Sequence, residues 1–204
     1  MHFPRLVRTD IVATYSICAK VVDGLFKFKK EIKDEIHKLL YDVADFCGVH
    51  IISFCIMTNH FHLEVQVQPK NTFVSETEVI KRVGILYGEK KRLALQEAVD
   101  TLHEEENEEA IRELLAPYRE RMNDLSLFMK TFMQLVTMRY NKAHNRIGTL
   151  WQGRFRSTLI EHSSNLKLLR RIAAYFDLNP MRAGMIDDPK QYQWSSYGLA
   201  CIRG

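Results

Sequence analysis

Apolar and polar residues alternate from 11 to 19 (IVATYSICA), the pattern of a β-strand. From 29 to 46 the spacing lengthens. Ile32, Ile36, Leu39, Leu40 and Val43 recur at helical intervals, and Gly48 stops the helix. Two strands follow, about 49–57 and 60–68, joined by a short Thr58-Asn59 turn into a hairpin. Residues 71–125 are helix-prone, and TLHEEENEEAIREL within them reads as a surface helix. An amphipathic helix is expected over 126–143, with Ser126 as its cap. A Gly-containing loop then leads to a strand over Phe155–Glu161. The last predicted helix starts at Ser163 or Ser164 and runs to about Leu178, where Pro180 ends it, because residues before proline avoid the α region. The order βαββ, insertion, αβα predicts an α+β fold: a ferredoxin-like antiparallel sheet with helices packed on one face. It reads as one domain over 1–204, with 71–125 as a helical insertion.

Composition fits a globular chain, with 46% hydrophobic and 26% charged residues. No apolar run approaches the length of a bilayer span, and residues 1–10 lack the apolar core of a secretory signal. Cys18, Cys47, Cys55 and Cys201 are scattered without a C-x-x-C, as expected of reduced thiols in a cytoplasmic protein, with Cys55 in the core. Charge changes the picture more. The net +4 divides into +1 for residues 1–70, −5 for 71–125 and +8 for 126–204. Such clustering suits a polyanionic partner, nucleic acid first, although a solvated charged surface has the same composition.

Within the second hairpin strand, Phe61, Leu63, Val65 and Val67 alternate with His60, His62, Glu64, Gln66 and Gln68. A period of two sends both imidazoles off one face, where they would chelate a divalent metal from one side. Many H-x-H pairs only hydrogen-bond on a polar strand, and two histidines with Glu64 leave a ligand set incomplete. Ligating imidazoles must be neutral, so metal affinity is expected to fall below about pH 6.5. A second stretch, LLRRIAAYFDLNPMRAG (168–184), places Arg171, Tyr175 and Asn179 at i, i+4 and i+8 on one helical stripe. Leu169, Ile172, Ala173 and Phe176 face the core. On spacing alone, Tyr175 also reads as a half-buried packing residue.

N-H-F-H-L at 59–63, G-T-L-W-Q-G-R-F-R-S at 148–157, Y-F-D-L-N-P-M-R-A-G at 175–184 and D-P-K-Q-Y-Q-W-S-S-Y at 188–197 occur in this order. With them the chain resembles the single-tyrosine HUH transposases, most closely the REP-associated tyrosine transposase branch. Thr58 stands where that family usually has proline, Glu64 where it often has an apolar residue, and 71–125 is longer than the family's connection. The resemblance implies cleavage and rejoining of single-stranded DNA. His60 and His62 would be the metal ligands, Tyr175 the nucleophile, and Asn179 the residue completing a Mg²⁺ or Mn²⁺ site. Attack by Tyr175 would give a 5′-phosphotyrosine and a free 3′-OH. A phenol of pKa about 10 needs help from metal or a base, and Glu64 is a conceivable auxiliary. Tyr140 is the reserve nucleophile.

The implied partner is single-stranded or hairpin DNA, with homodimers among the family's assemblies. Arg139, Arg146, Arg154, Arg156 and Arg171 are the expected phosphate contacts. Trp151 either stacks on an unpaired base or packs between loop and sheet. The C-terminal aromatics Tyr192, Trp194 and Tyr197 are expected to pack the last segment onto the body. Two rivals stand beside this reading: a hairpin-binding descendant that does not cut, and a metal-dependent phosphodiesterase that uses water.

Overall fold

The alternation at 13–20 becomes strand β1 (Ala13–Lys20), the centre of a four-stranded sheet. A computed structural model describes residues 6–24, 27–160 and 166–203. Helix α1 (Lys30–Cys47) follows, closed by Gly48 in the left-handed region at φ 68. A Cβ there would meet Arg82 and Asn123, so backbone conformation and space both favour glycine. The hairpin is β2 (Val49–Ile56) and β3 (His60–Val67), joined across the expected turn. After helices α2 (Glu76–Tyr87), α3 (Glu89–Glu104), α4 (Glu108–Arg119) and α5 (Leu125–Ala143) comes β4 (Arg156–Ile160). The sheet order is β2-β3-β1-β4 with every neighbour antiparallel, as the ferredoxin-like reading requires.

One face of the sheet carries the main core. Tyr15, Ile17, Phe61, Leu63 and Val65 pack with Ile36 and Leu40 of α1 and with Phe128 and Phe132 of α5. Val79 and Val83 of α2, Leu95 of α3 and Leu115 of α4 are buried in the same cluster. The α5 cap is Asp124, whose side chain accepts from the Leu127 amide; Ser126, the expected cap, lies inside the first turn. A carboxylate two residues earlier reaches the free amides and suits the positive helix end.

Helices α6 (Leu166–Asp177), α7 (Asn179–Arg182) and α8 (Ser196–Arg203) complete the chain. Glu161, Ser163 and Ser164, expected at a strand end and a helix start, lie outside the described residues. Pro180 does not only end a helix. It stands in the first turn of α7, where a missing N–H costs nothing. Helix α6 crosses the second face of the sheet, where Phe176 joins Cys55, Met57 and Tyr192 in a smaller cluster. A β-bulge in β2 between Ile51 and Ser53 lets Val49 and Ile51 face the main core, and Phe54 and Ile56 as well, while Ser53 and Cys55 turn to the second face. Among the described residues, no helix is long and apolar enough to cross a membrane.

The C-terminal aromatics pack as expected. Tyr192 donates its hydroxyl to the Ile56 carbonyl (2.8 Å) and accepts from the buried Lys33 ammonium (2.8 Å). The same ammonium lies 4.5 Å from the Trp194 ring centroid. The Ile56 amide donates to the Trp194 carbonyl, so this segment covers the open edge of β2. Gly198 is held there by space: a Cβ would lie 2.0 Å from the Tyr192 carbonyl oxygen.

Candidate functional site

Register places the site residues in rows across the second face. Cys55, His62, Cys18 and Arg156 are successive partners on β2, β3, β1 and β4. At the usual strand spacing, Arg156 lies about 10 Å from His62 along this row. The neighbouring row holds Ser53, Glu64, Ser16 and Thr158, and Lys20 opposes His60 on the other side. His60 and His62 leave the same face with ring centroids 5.0 Å apart, nearly perpendicular.

Each imidazole is set by a neighbour. His60 Nδ1–H donates to Asn59 Oδ1 (2.6 Å), and Asn59 Nδ2 donates to the Gly24 carbonyl (3.0 Å). That chain fixes the tautomer and leaves His60 Nε2 as a lone-pair donor. The His62 ring stacks on Phe176 at 5.0 Å. Burial first, and then His60 and Lys20, hold His62 down at about 4. Burial and Lys20 also lower His60. Both rings are therefore neutral at neutral pH and fit a metal as nitrogen ligands. Among the described residues, no third His, Cys, Asp or Glu gathers with them.

Tyr175 is 48% exposed: one side of its ring packs against Phe176 and the rest is open to solvent. Its ring lies 6.0 Å from His62, and the Arg182 guanidinium sits 5.3 Å above it. Tyr175, Arg171, His62, Arg156, Thr158 and Ser16 line one open cleft of about 330 Å³ between α6 and the sheet. Among the described residues, no ion pair engages Arg154, Arg156, Arg171 or Arg182. Three of them surround the phenol.

Several expectations need correction. Arg171 and Tyr175 share the expected stripe, but α6 ends at Asp177 and Asn179 opens α7. Asn179 Nδ2 donates to the Tyr175 carbonyl (3.0 Å), an anchor on the backbone. Glu64 is fully buried: Oε2 accepts from Ser53 (2.9 Å), Oε1 has no partner, and the residue does not line the cleft. Burial also raises its pKa, which would make it a stronger base, but its place away from the cleft lining keeps it from the phenol. Trp151 is 7% exposed, its Nε1–H donates to the Met133 carbonyl and to Thr137 Oγ1, and its ring packs edge-on against Phe28 and Phe61. It packs; it does not stack on bases. Arg146 bonds Asn141 and the Thr149 carbonyl, and Arg139 lies 3.7 Å from Glu35. The reserve residue Tyr140 is buried in the core and stacked on His144.

Asn59, Arg182, Ser16 and Thr158 were not singled out by the sequence reading. Asn59 adjoins His60, and the alternation Thr14, Ser16, Cys18, Lys20 already marked a polar face on β1. Arg182 had only its place in M-R-A-G.

Residues 20–105 match the family model described as IS200-like transposase. The chain resembles the IS200-like transposases. The matched span takes in the histidine strand and stops before Tyr175, covering less than half of the chain. The structure of a REP-associated tyrosine transposase bound to a REP hairpin aligns with 99% of this chain and 87% of that one, at TM-score 0.57 and 11% identity. At that identity the likeness is one of fold alone, and it covers nearly the whole chain. A candidate transposase from Deinococcus radiodurans R1 aligns with 85% of this chain and 97% of its own at 11% identity, but its TM-score of 0.39 carries no weight. No curated protein matches the chain.

Proposed function

We propose that this transposase relative cleaves and rejoins single-stranded, hairpin-forming DNA through a covalent bond to Tyr175. The observation that carries the reading is one cleft holding an exposed phenol, a neutral His62 beside His60, and two arginines, Arg156 and Arg171, with no ion pair among the described residues. Arg156 and Arg171 would bind the phosphates on either side of the scissile bond. Arg182 steadies the phenol ring from above.

The Tyr175 oxygen attacks phosphorus, the bond to the 3′ oxygen breaks, and that oxygen leaves as a 3′-OH. The product is a 5′-phosphotyrosine, which keeps one phosphodiester bond for transfer to an incoming 3′-OH. His60 and His62 would hold Mg²⁺ or Mn²⁺, which when bound would supply positive charge at the scissile phosphate. Asn179, anchored through Nδ2, keeps Oδ1 as the atom it would bring to such an ion. Residues 71–125 read as a helical insertion in a single domain, since they contribute no lining residue to the cleft.

Labelled hairpin DNA incubated with the protein and Mn²⁺ tests the proposal on a denaturing gel. A covalent adduct, lost in Tyr175→Phe while hairpin binding survives, is the expected result. Cutting without an adduct would make water the nucleophile. Binding without cutting would leave a hairpin-recognition protein.

A further inference from the structure

The loop between α5 and β4 presents the most exposed large apolar side chain among the described residues. Ile147 is 93% exposed, yet the loop around it is stapled shut. The Arg146 amide donates to the Asn141 carbonyl (2.9 Å), and its guanidinium donates to Asn141 Oδ1 (2.9 Å) and the Thr149 carbonyl (2.6 Å). Asn141 Nδ2 closes the ring on the Gly148 carbonyl (2.9 Å). Gly148 at φ 91 and Asn145 at φ 46 provide the two left-handed turns this closure needs. A lone exposed apolar residue is ordinary, but here a braced support holds it out in water, uncovered by any of the described residues.

The setting says what would cover it. Residues 125–160 contain six Lys or Arg and no Asp or Glu. The loop also leaves the sheet beside the cleft. The Val22 amide donates to Leu150 and the Gln152 amide to Lys20, the residue opposite His60. A strand of nucleic acid crossing Arg156 would run toward this loop. Side chains such as isoleucine insert between bases, and where the stack is already open they do so without the unstacking cost that a closed duplex imposes.

We infer that Ile147 is a wedge that packs against an unpaired base of the bound DNA, with Arg146 as its brace and Arg154 and Arg156 holding the flanking phosphates. The inference rests on the DNA-processing reading above and names the part of the substrate that reading left open. A wedge adds affinity only where a base face is free. It adds none on a closed duplex. Because it carries no charge, it leaves the number of displaced counterions unchanged.

Equilibrium binding to two fluorescent DNAs, a hairpin with unpaired bases and a blunt duplex, tests this in the full chain. Ile147→Ser should weaken hairpin binding about tenfold, the scale of one uncovered aliphatic side chain, with the duplex and the salt slope unchanged. Ile147→Trp should hold or tighten the hairpin. Equal affinity of parent and Ile147→Ser for the hairpin overturns the wedge, as does equal loss on both DNAs. So does a loss seen only on anionic phospholipid vesicles. If the parent binds neither DNA, the functional reading itself falls. If Arg154→Ala weakens binding and Ile147→Ser does not, only the wedge falls.

Discussion

His62 and Phe176 lie ring on ring, centroids 5.0 Å apart and 25° from parallel. The contact joins the histidine strand to the helix that carries Tyr175, so one buried ring sets both partners of the proposed chemistry. Phe176→Ala should cost about 3–5 kcal/mol, read from a urea melt, because it opens a cavity under α6. Tyr175→Phe should change stability by no more than about 0.5 kcal/mol, since it removes only an exposed oxygen. Equal destabilisation by the two would show that α6 is not seated through Phe176.

Metal affinity should follow the buried histidines and not free imidazole. With His62 held at about 4 and His60 also lowered, the fall should begin only below the pH 6.5 of free imidazole and be complete as pH approaches 4. Burial thus moves the fall below the pH 6.5 expected of exposed rings. Stability follows the same shift. Between pH 6.5 and 4 the unfolded chain takes up a proton that folded His62 refuses, so stability drops as pH falls through that window, by at most about 3 kcal/mol. Thermal melts of parent and His62→Gln across pH 4–7 check this: the variant should lose the part of the pH dependence that His62 contributes and keep that of the other lowered histidines, His60 and His37.

Salt titrations should separate phosphate-binding arginines from structural ones. Arg154→Ala with Arg156→Ala should make the log–log slope of single-strand binding shallower by about 1.4. Arg146→Ala should instead loosen its loop, because that guanidinium is already bonded to Asn141 and Thr149. A thermal melt and the same titration distinguish the two outcomes.

Lys33 and Tyr192 should respond differently to removal. Tyr192→Phe leaves the Ile56 carbonyl and the Lys33 ammonium without their partner and should cost about 1–3 kcal/mol in a urea melt. Lys33→Met keeps the apolar stem, removes a buried charge and leaves the Tyr192–Ile56 bond in place. It should be close to neutral.

The sheet was readable because its strands alternate and its turns carry their own chemistry: Gly48 and the Thr58-Asn59 pair fixed where α1 stops and the hairpin folds. The histidine face followed from the same period of two. What local pattern cannot carry is which distant group satisfies a side chain. Trp151 and Arg146 sit in a basic, DNA-like stretch, but Trp151 bonds Met133 and Thr137, 18 and 14 residues earlier on α5, and Arg146 is taken up by Asn141 at the end of that helix. Glu64 shares the histidine face but is fully buried and bonded to Ser53, a placement set by tertiary packing. The break between Asp177 and Asn179 escaped notice because helical spacing nearly continues across it.

The bulge at Ile52 makes β2 unusually intolerant of changes in length. Residues before it point inward on odd numbers, 49 and 51, and residues after it on even numbers, 54 and 56. Deleting one residue there would restore a regular pleat and reverse the parity of one half of the strand. Either Phe54 and Ile56 would be thrust under α6 in place of Ser53 and Cys55, or Val49 and Ile51 would leave the main core. A substitution at position 52 disturbs one side chain, whereas a single-codon deletion exchanges the lining of both faces at once.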